Sequence, residues 1–499
     1  MASKKESAVS DPVTIQREYY RRTASQYDEL RLVQPPPDRG PAIVFRATLA
    51  LTLANALWFI WSNRFIPMSD YPDWVYQGWI LSGILRGAAH PLYHFRSYPP
   101  THAAVTIATA LLDYGFGAET SAKLVLSSAV CAFAIGSTYL LKACGASERH
   151  PLLYVPLLFI FDTWFFTGEI DYYLALTGFF FLAGYLLRRA DSPGRINPLV
   201  VLVGLLAIFV AHLIVYLACG AVCIAIVLAH PSPVKARRLL LPALASVPIL
   251  AWYVLGRATS HDLGTQTFLV PWTARHLASN FIDAFSLFHA FAPWLSPHSK
   301  LMHLAAMCNL ISDGGIFTLF CVCAVMWFRG TRDDAAPLLA ALLCLIGYVA
   351  GGYAIAGVFG AERLTYPAAW LVLAWLAGNW TPARESARLA AICVIGAVLA
   401  IQCVYVDHAV GQVCDRLAQT YDRLAQAPSR KDLCSIYEPY FQQSWGGQHR
   451  SGWERFVPDH ASVIRLPYYL YIERGEAAPI FEAGIFNYSG RGDNNDLCR

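Results

Sequence analysis

Charge is what this sequence has least of. Only 14% of its 499 residues are Asp, Glu, Lys or Arg, whereas 56% are hydrophobic; a soluble domain carries about a quarter charged residues. That balance excludes an ordinary water-soluble domain, and apolar runs near the ~20 residues that cross a bilayer recur along most of the chain. Zinc-type cysteine pairs are absent: no C-x-x-C occurs, and ten of the thirteen cysteines lie in or beside apolar runs, where Cys acts as a small hydrophobe. The other three, Cys414, Cys434 and Cys498, sit in a polar tail and allow one disulfide and one spare thiol on an oxidising side. Net charge is only +4, with basic residues scattered at run ends, so nucleic acid is not an expected partner. The polar first 40 residues, ending in "QPPPDRGP", lack a short apolar core before a small-residue cleavage site, so no removable signal is expected. No internal repeat is found.

What is present reads as an all-α polytopic membrane protein with about eleven transmembrane helices. The candidate spans are 42–62, 119–142, 151–167, 171–188, 197–212, 214–230, 239–256, 303–328, 335–357, 362–379 and 387–406. Basic connections such as "LLRRADSPGR" and "PSPVKARR" alternate with the other loops, which places the N-terminus in the cytoplasm and the C-terminus outside. The expected organisation is a cytoplasmic segment 1–40, a transmembrane domain 41–406 with long outer loops 63–118 and 257–302, and an extracytoplasmic cap 407–499. Residues 101–116 are too short for a crossing and read as an interfacial helix. Segment 257–302 is a candidate lid, rich in aromatic residues. The tail begins helically and then becomes strand-like over "SVIRLPYYLYIERGEAAPIFEAGIFNYSG", giving a small α+β cap.

The carboxylates collect at the outer ends of these spans. In "SDYPDWVYQGW", Ser69 or Asp70 suits an N-cap and Pro72 the first helical turn. Asp73, Tyr76 and Gln77 then share one helix face. Capping explains the two aspartates, but a carboxylate held at a helix N-terminus also stays ionised and can accept a proton from a sugar hydroxyl. Both readings stay open on these residues alone. Glu169 and Asp171, in "TGEIDYYLAL", lie at the same face, where acidic groups beside hydrocarbon are costly. His212 in "FVAHLIVY" and Arg363 in "GAERLTYPAAW" are basic groups at similar depth, with buried packing and pairing with Glu362 as their simpler explanations. Carboxylates facing cations are what transfer of a group from a lipid phosphate requires: a base for the acceptor and positive charge for the departing phosphate.

These stretches resemble the GT-C superfamily of membrane glycosyltransferases, most closely the bacterial polyprenyl-phosphate-mannose-dependent mannosyltransferases. "SDYPDWVYQGWILSGILRGAAHPLYHFRSYPPTHAAV" is similar to that family's first outer loop, with Asp73 at about the family's spacing to the helix-ending Gly87, and "GEIDYYLALTGFFFLAGYLLRR" is similar to its "GQ-x-N" turn, with Glu169 and Asp171 in place of the amides. The resemblance covers roughly residues 40–405. It implies a polyprenyl-phosphate sugar donor, a lipid or glycan acceptor, transfer at the extracytoplasmic face of the plasma (inner) membrane, and an aspartate base acting with inversion. On that basis Asp73 is the leading catalytic base and Asp70 the second. Arg363 and His212 are candidate contacts to the donor phosphate, Glu169 and Asp171 candidates for the acceptor or for a divalent cation, Mg or Mn, and Tyr76, Gln77, Arg96 and His102 further pocket residues. Two alternatives stand beside this: a transporter or lipid flippase, which usually shows related halves and broken helices, and a catalytically inactive membrane scaffold.

Overall fold

The computed structural model describes residues 40–68, 70–88, 93–259, 281, 284–288, 300–328, 335–353, 361–380, 385–426, 466–474 and 486–488. The N-terminal segment, Ser69, most of loop 257–302, and Cys434 and Cys498 lie outside them. The chain falls into two compact units, residues 1–48 and 49–499. The first contains the start of helix α1 (Gly40–Ser62), and the site described below lies in the second.

Among the described residues, six helical stretches are long and apolar enough to cross a membrane. They are α1, α4 (Ala118–Ala143), α7 (Ile170–Leu187), α10 (Pro233–Thr259), α11 (Lys300–Phe328) and a continuous run from Glu385. The protein is therefore built as a multi-pass membrane protein. Five of the eleven expected spans differ from a long helix. Segment 151–167 breaks into a 3-10 turn at Pro151–Tyr154 and two short helices, α5 (Val155–Leu158) and α6 (Thr163–Thr167), because Pro151 and Pro156 interrupt the backbone ladder. The stretches α8 (Pro198–Ala211), α9 (Leu213–Ala229), α12 (Ala336–Tyr353) and α13 (Thr365–Asn379) hold 14, 17, 18 and 15 residues. At 1.5 Å per residue the shortest spans only about 21 Å.

At the start of the chain's first long loop stand α2 (Tyr71–Leu85), the short strand β1 (Tyr93–Phe95) and α3 (Ala104–Phe116). Helix α2 ends as its sequence dictates. Gly87 takes φ +88°, and the N–H of Ala88 reaches back to Gly83 O at 2.9 Å, a glycine-terminated helix end. Helix α3 exposes Ile107, Leu111, Tyr114 and Phe116 on one side and buries Val105, Thr106, Thr109 and Ala110 on the other. This is the two-faced pattern of a helix that lies along an interface.

Beneath this loop the core is aromatic. Phe133 of α4 stacks on Tyr173 of α7 at 4.7 Å, and Phe180 meets Trp370 of α13 at 5.1 Å. The described part of the candidate lid is fastened to it. Thr163 N–H and Oγ1 both donate to Ser286 O, Trp164 Nε1 donates to Ala284 O, and Asn309 exchanges two 2.8 Å hydrogen bonds with Phe288. Gln402, on α14 (Glu385–Tyr405), donates to Leu158 O and Leu287 O, so one amide in an apolar helix holds both the end of α5 and the described part of the candidate lid.

From α14 the chain passes through a π turn at Val406–Val410 directly into α15 (Gly411–Ala425). Further on, the tail departs from the strand expectation. "PYYLYIER" forms helix α16 (Pro467–Arg474), and among the described residues of this stretch β2 (Phe486–Tyr488) is the extended part. Pro467 suits the first helical position, and contacts made by the rings override the local pattern. Tyr468 stacks on Tyr76 at 4.9 Å, and Tyr469 packs on Phe65 at 4.9 Å. Strand β2 pairs antiparallel with β1, Phe486 opposite Phe95 and Tyr488 opposite Tyr93. The tail thus grips the first loop at three points, one of them on α2.

Candidate functional site

The turn between α6 and α7 joins the two acidic motifs. Gly168 adopts φ +82°, and a Cβ there would stand 2.6 Å from Asp70 N and 3.0 Å from Tyr71 N. Only glycine fits both the conformation and the approach. The turn's carbonyls then serve α2: Asp70 N–H donates to Thr167 O at 3.3 Å, and Trp74 Nε1 donates to Gly168 O at 2.9 Å. Asp70 and Asp73 are both buried at this helix start, and Asp73 N–H donates to Asp70 O at 3.1 Å. Asp70 occupies the N-cap position without a capping side-chain hydrogen bond, so local capping does not account for its carboxylate.

The next residue along, Glu169, forms an ion pair with Arg363 NH2, a partner other than the neighbouring Glu362. Arg363 is 5% exposed and stands in a 3-10 turn, Ala361–Leu364, ahead of α13. Its own carbonyl accepts from Tyr172 Oη at 2.7 Å, and its guanidinium lies 5.8 Å from the Trp164 ring. Arg363 NH1 also approaches His212 Nε2 at 3.4 Å. His212, fully buried, forms the extended break between α8 and α9 and caps α9, its Nδ1 accepting from Ile214 N–H at 3.2 Å. A neutral imidazole whose Nδ1 accepts carries its proton on Nε2. Two N–H donors therefore face one another, an arrangement suited to a shared anionic oxygen. The His102 ring packs on His212 at 4.2 Å, held by a left-handed backbone at φ +58°.

The other expected site residues are occupied in packing. Asp171, fully buried, accepts from Val105 N–H at 2.9 Å and so caps α3 from another helix, where Ala103 has no side chain to do it. Gln77 accepts from Thr106 Oγ1 at 3.3 Å. Tyr76 is sandwiched between Trp79 and Tyr468, and Arg96 lies over the Tyr98 ring. With Glu169 held by Arg363 and Asp171 by a backbone amide, this donor set does not fit Mg or Mn. No group of three or more His, Cys, Asp or Glu side chains suited to a metal occurs among the described residues.

The sequence reading passed over Asp162. Its Oδ1 caps α6 through Phe165 N–H at 3.0 Å and accepts from Tyr173 Oη at 2.6 Å, while Oδ2 accepts from Tyr366 Oη. This fully buried carboxylate ties α6, α7 and α13 together. The available signal was an acidic residue inside the apolar run "LLFIFDTWFF", which is rarely without a partner.

No protein-family profile matches the chain, and no curated protein matches it. Among solved structures the chain is similar to the cryo-EM structure of the arabinofuranosyltransferase AftD from Mycobacteria. The TM-score is 0.39 at 15% identity, over 72% of this chain and 26% of that one. The chain thus spans about a quarter of AftD's length. A likeness of this degree assigns neither a family nor an activity.

Proposed function

We propose that this protein is a glycosyltransferase of the GT-C type that moves a sugar from a polyprenyl-phosphate donor to a lipid or glycan acceptor. The reaction takes place at the extracytoplasmic face of the plasma (inner) membrane, with the N-terminus in the cytoplasm. Asp73 is the leading general base and Asp70 the second; Arg363 and His212 receive the donor phosphate, with His102 behind them.

One observation carries this reading. A single three-residue turn, Thr167–Glu169, hydrogen-bonds the helix that bears Asp70 and Asp73 and, by its last residue, reaches the buried pair of donors Arg363 and His212. On this reading the proposed base and the proposed phosphate contacts stand on adjoining elements. The dipole of α2 favours an ionised carboxylate in its first turn, which can take the acceptor hydroxyl's proton as the hydroxyl attacks the anomeric carbon. Positive charge at Arg363 then stabilises the phosphate as the bond to it breaks. Asp171 is assigned a positioning role through α3, and Tyr76 and Gln77 hold α2 in place.

The test is transfer of radiolabelled sugar from a panel of polyprenyl-phosphate sugars to membrane lipid extract by purified wild type, Asp73→Asn and Asp70→Asn. Loss of at least ~100-fold in kcat for Asp73→Asn, with unchanged thermal unfolding, is expected for a general base. Turnover retained in both variants would remove the base assignment. No transfer from any donor would favour transport or scaffolding.

A further inference from the structure

Glu169 is the more open member of its pair, with 12% of its side chain accessible against 6% for Arg363. It stands at the N-cap position of α7 but makes no capping hydrogen bond there, so its carboxylate is directed at Arg363 instead of its own helix. Its partner cannot move as easily. The Arg363 backbone is held by Tyr172, its guanidinium lies against Trp164, and the fully buried His212 faces it from the other side. The pair is thus a fixed cation joined to a carboxylate on a turn. A buried guanidinium is expensive without an anion, and Glu169 supplies one.

We infer that Glu169 is the resident anion of the phosphate subsite: it neutralises Arg363 when the site is empty and is displaced from the guanidinium when a phosphate enters between Arg363 and His212. This rests on the reading of Arg363 as a phosphate contact. Two anions then compete for one fork of donors, and the affinity for phosphate is set by the difference between them. The displaced carboxylate stays on the turn that adjoins the start of α2, because Thr167 O and Gly168 O, just before it in the chain, accept from Asp70 N–H and Trp74 Nε1. Binding the donor would therefore add a negative group on the acceptor side at the moment the acceptor is needed.

The consequence is opposite to that of an orienting residue. If Glu169 competes, removing its charge tightens phosphate binding; if it only steadies Arg363, removing it loosens binding. The measurement is quenching of tryptophan fluorescence, with Trp164 against the Arg363 guanidinium as a reporter, on titrating detergent-solubilised protein with sugar-free decaprenyl phosphate and, separately, with inorganic phosphate. Glu169→Gln is expected to bind the lipid phosphate about tenfold tighter than wild type, and Arg363→Gln at least tenfold weaker. Glu169→Asp keeps the charge but is one methylene shorter, and it is expected to bind about threefold tighter; it serves if the glutamine variant does not fold. Tighter binding of both probes identifies phosphate itself as the competing group, and tighter binding of the lipid alone adds the prenyl chain to the recognition. Equal or weaker binding in both Glu169 variants, with Arg363→Gln impaired, would overturn the displacement and leave the subsite standing. Unchanged binding in Arg363→Gln would remove the subsite and the displacement together.

Discussion

Replacing Gly168 by alanine tests the joint on which the site depends. Two separable penalties follow from the structure. At φ +82° an L-residue costs about 1 kcal/mol over glycine. The added Cβ would also meet Asp70 N at 2.6 Å and Asp70 Cα at 3.1 Å, which is backbone and cannot swing aside. The turn must retreat, stretching the Asp70 N–H to Thr167 O and Trp74 Nε1 to Gly168 O hydrogen bonds, each worth about 1 kcal/mol. The expected loss is roughly 3 kcal/mol. Gly87 supplies the control, since its φ is +88° but nothing lies within 4 Å of the Cβ position, so Gly87→Ala should lose only about 1 kcal/mol. Unfolding of both variants in mixed micelles with increasing sodium dodecyl sulfate, followed by tryptophan fluorescence, measures the difference. Equal losses would refute the close approach of the turn to α2, and with it the physical link between the two acidic motifs.

Two further outcomes are expected. Asp162→Ala removes the α6 cap and the acceptor of the fully buried Tyr366 hydroxyl, and should cost about 3 kcal/mol, with Asp162→Asn milder because one oxygen still caps Phe165; the same unfolding assay reads both. His150 gives a pH dependence. Its Nδ1 accepts from Leu152 N–H and its Nε2 meets Trp380 O at 2.7 Å, so the neutral ring fits. Burial lowers its pKa below the ordinary histidine value, outweighing the Trp380 hydrogen bond, which raises it. The unfolded state then binds the proton more readily, so this stabilisation is complete above about pH 6.5 and is lost as pH falls from there through the folded value. Thermal unfolding between pH 8 and 5 should show a decline that His150→Gln flattens; an identical profile in the variant would contradict it.

The parts of the fold legible in the sequence were those set by solvent. Long apolar runs announced α1, α4, α7, α10, α11 and α14, because a helix facing lipid must be apolar along its whole length. Helix α2 was legible from local chemistry alone, with Asp70, Pro72 and Asp73 at one end and Gly87 at the other. The shorter helices were less so, since hydropathy does not see a proline break such as that at Pro156, nor the extended His212 between α8 and α9. Helix α16 was misread as strand because alternating rings suit either conformation, and the stack of Tyr468 on Tyr76 decides between them.

Taken alone, the sequence determined the solvent of this protein, the main helices and the residue types available for chemistry at their ends, because hydropathy and helix termini are properties of neighbours along the chain. Which of those residues act on which was decided by tertiary structure. Arg363 is next to Glu362 in sequence and pairs with Glu169, 194 positions away. Asp171 caps a helix 66 positions earlier, and Asp162 gathers tyrosines from two other helices. A buried charge takes the partner that packing brings within reach, and packing is a property of the folded chain.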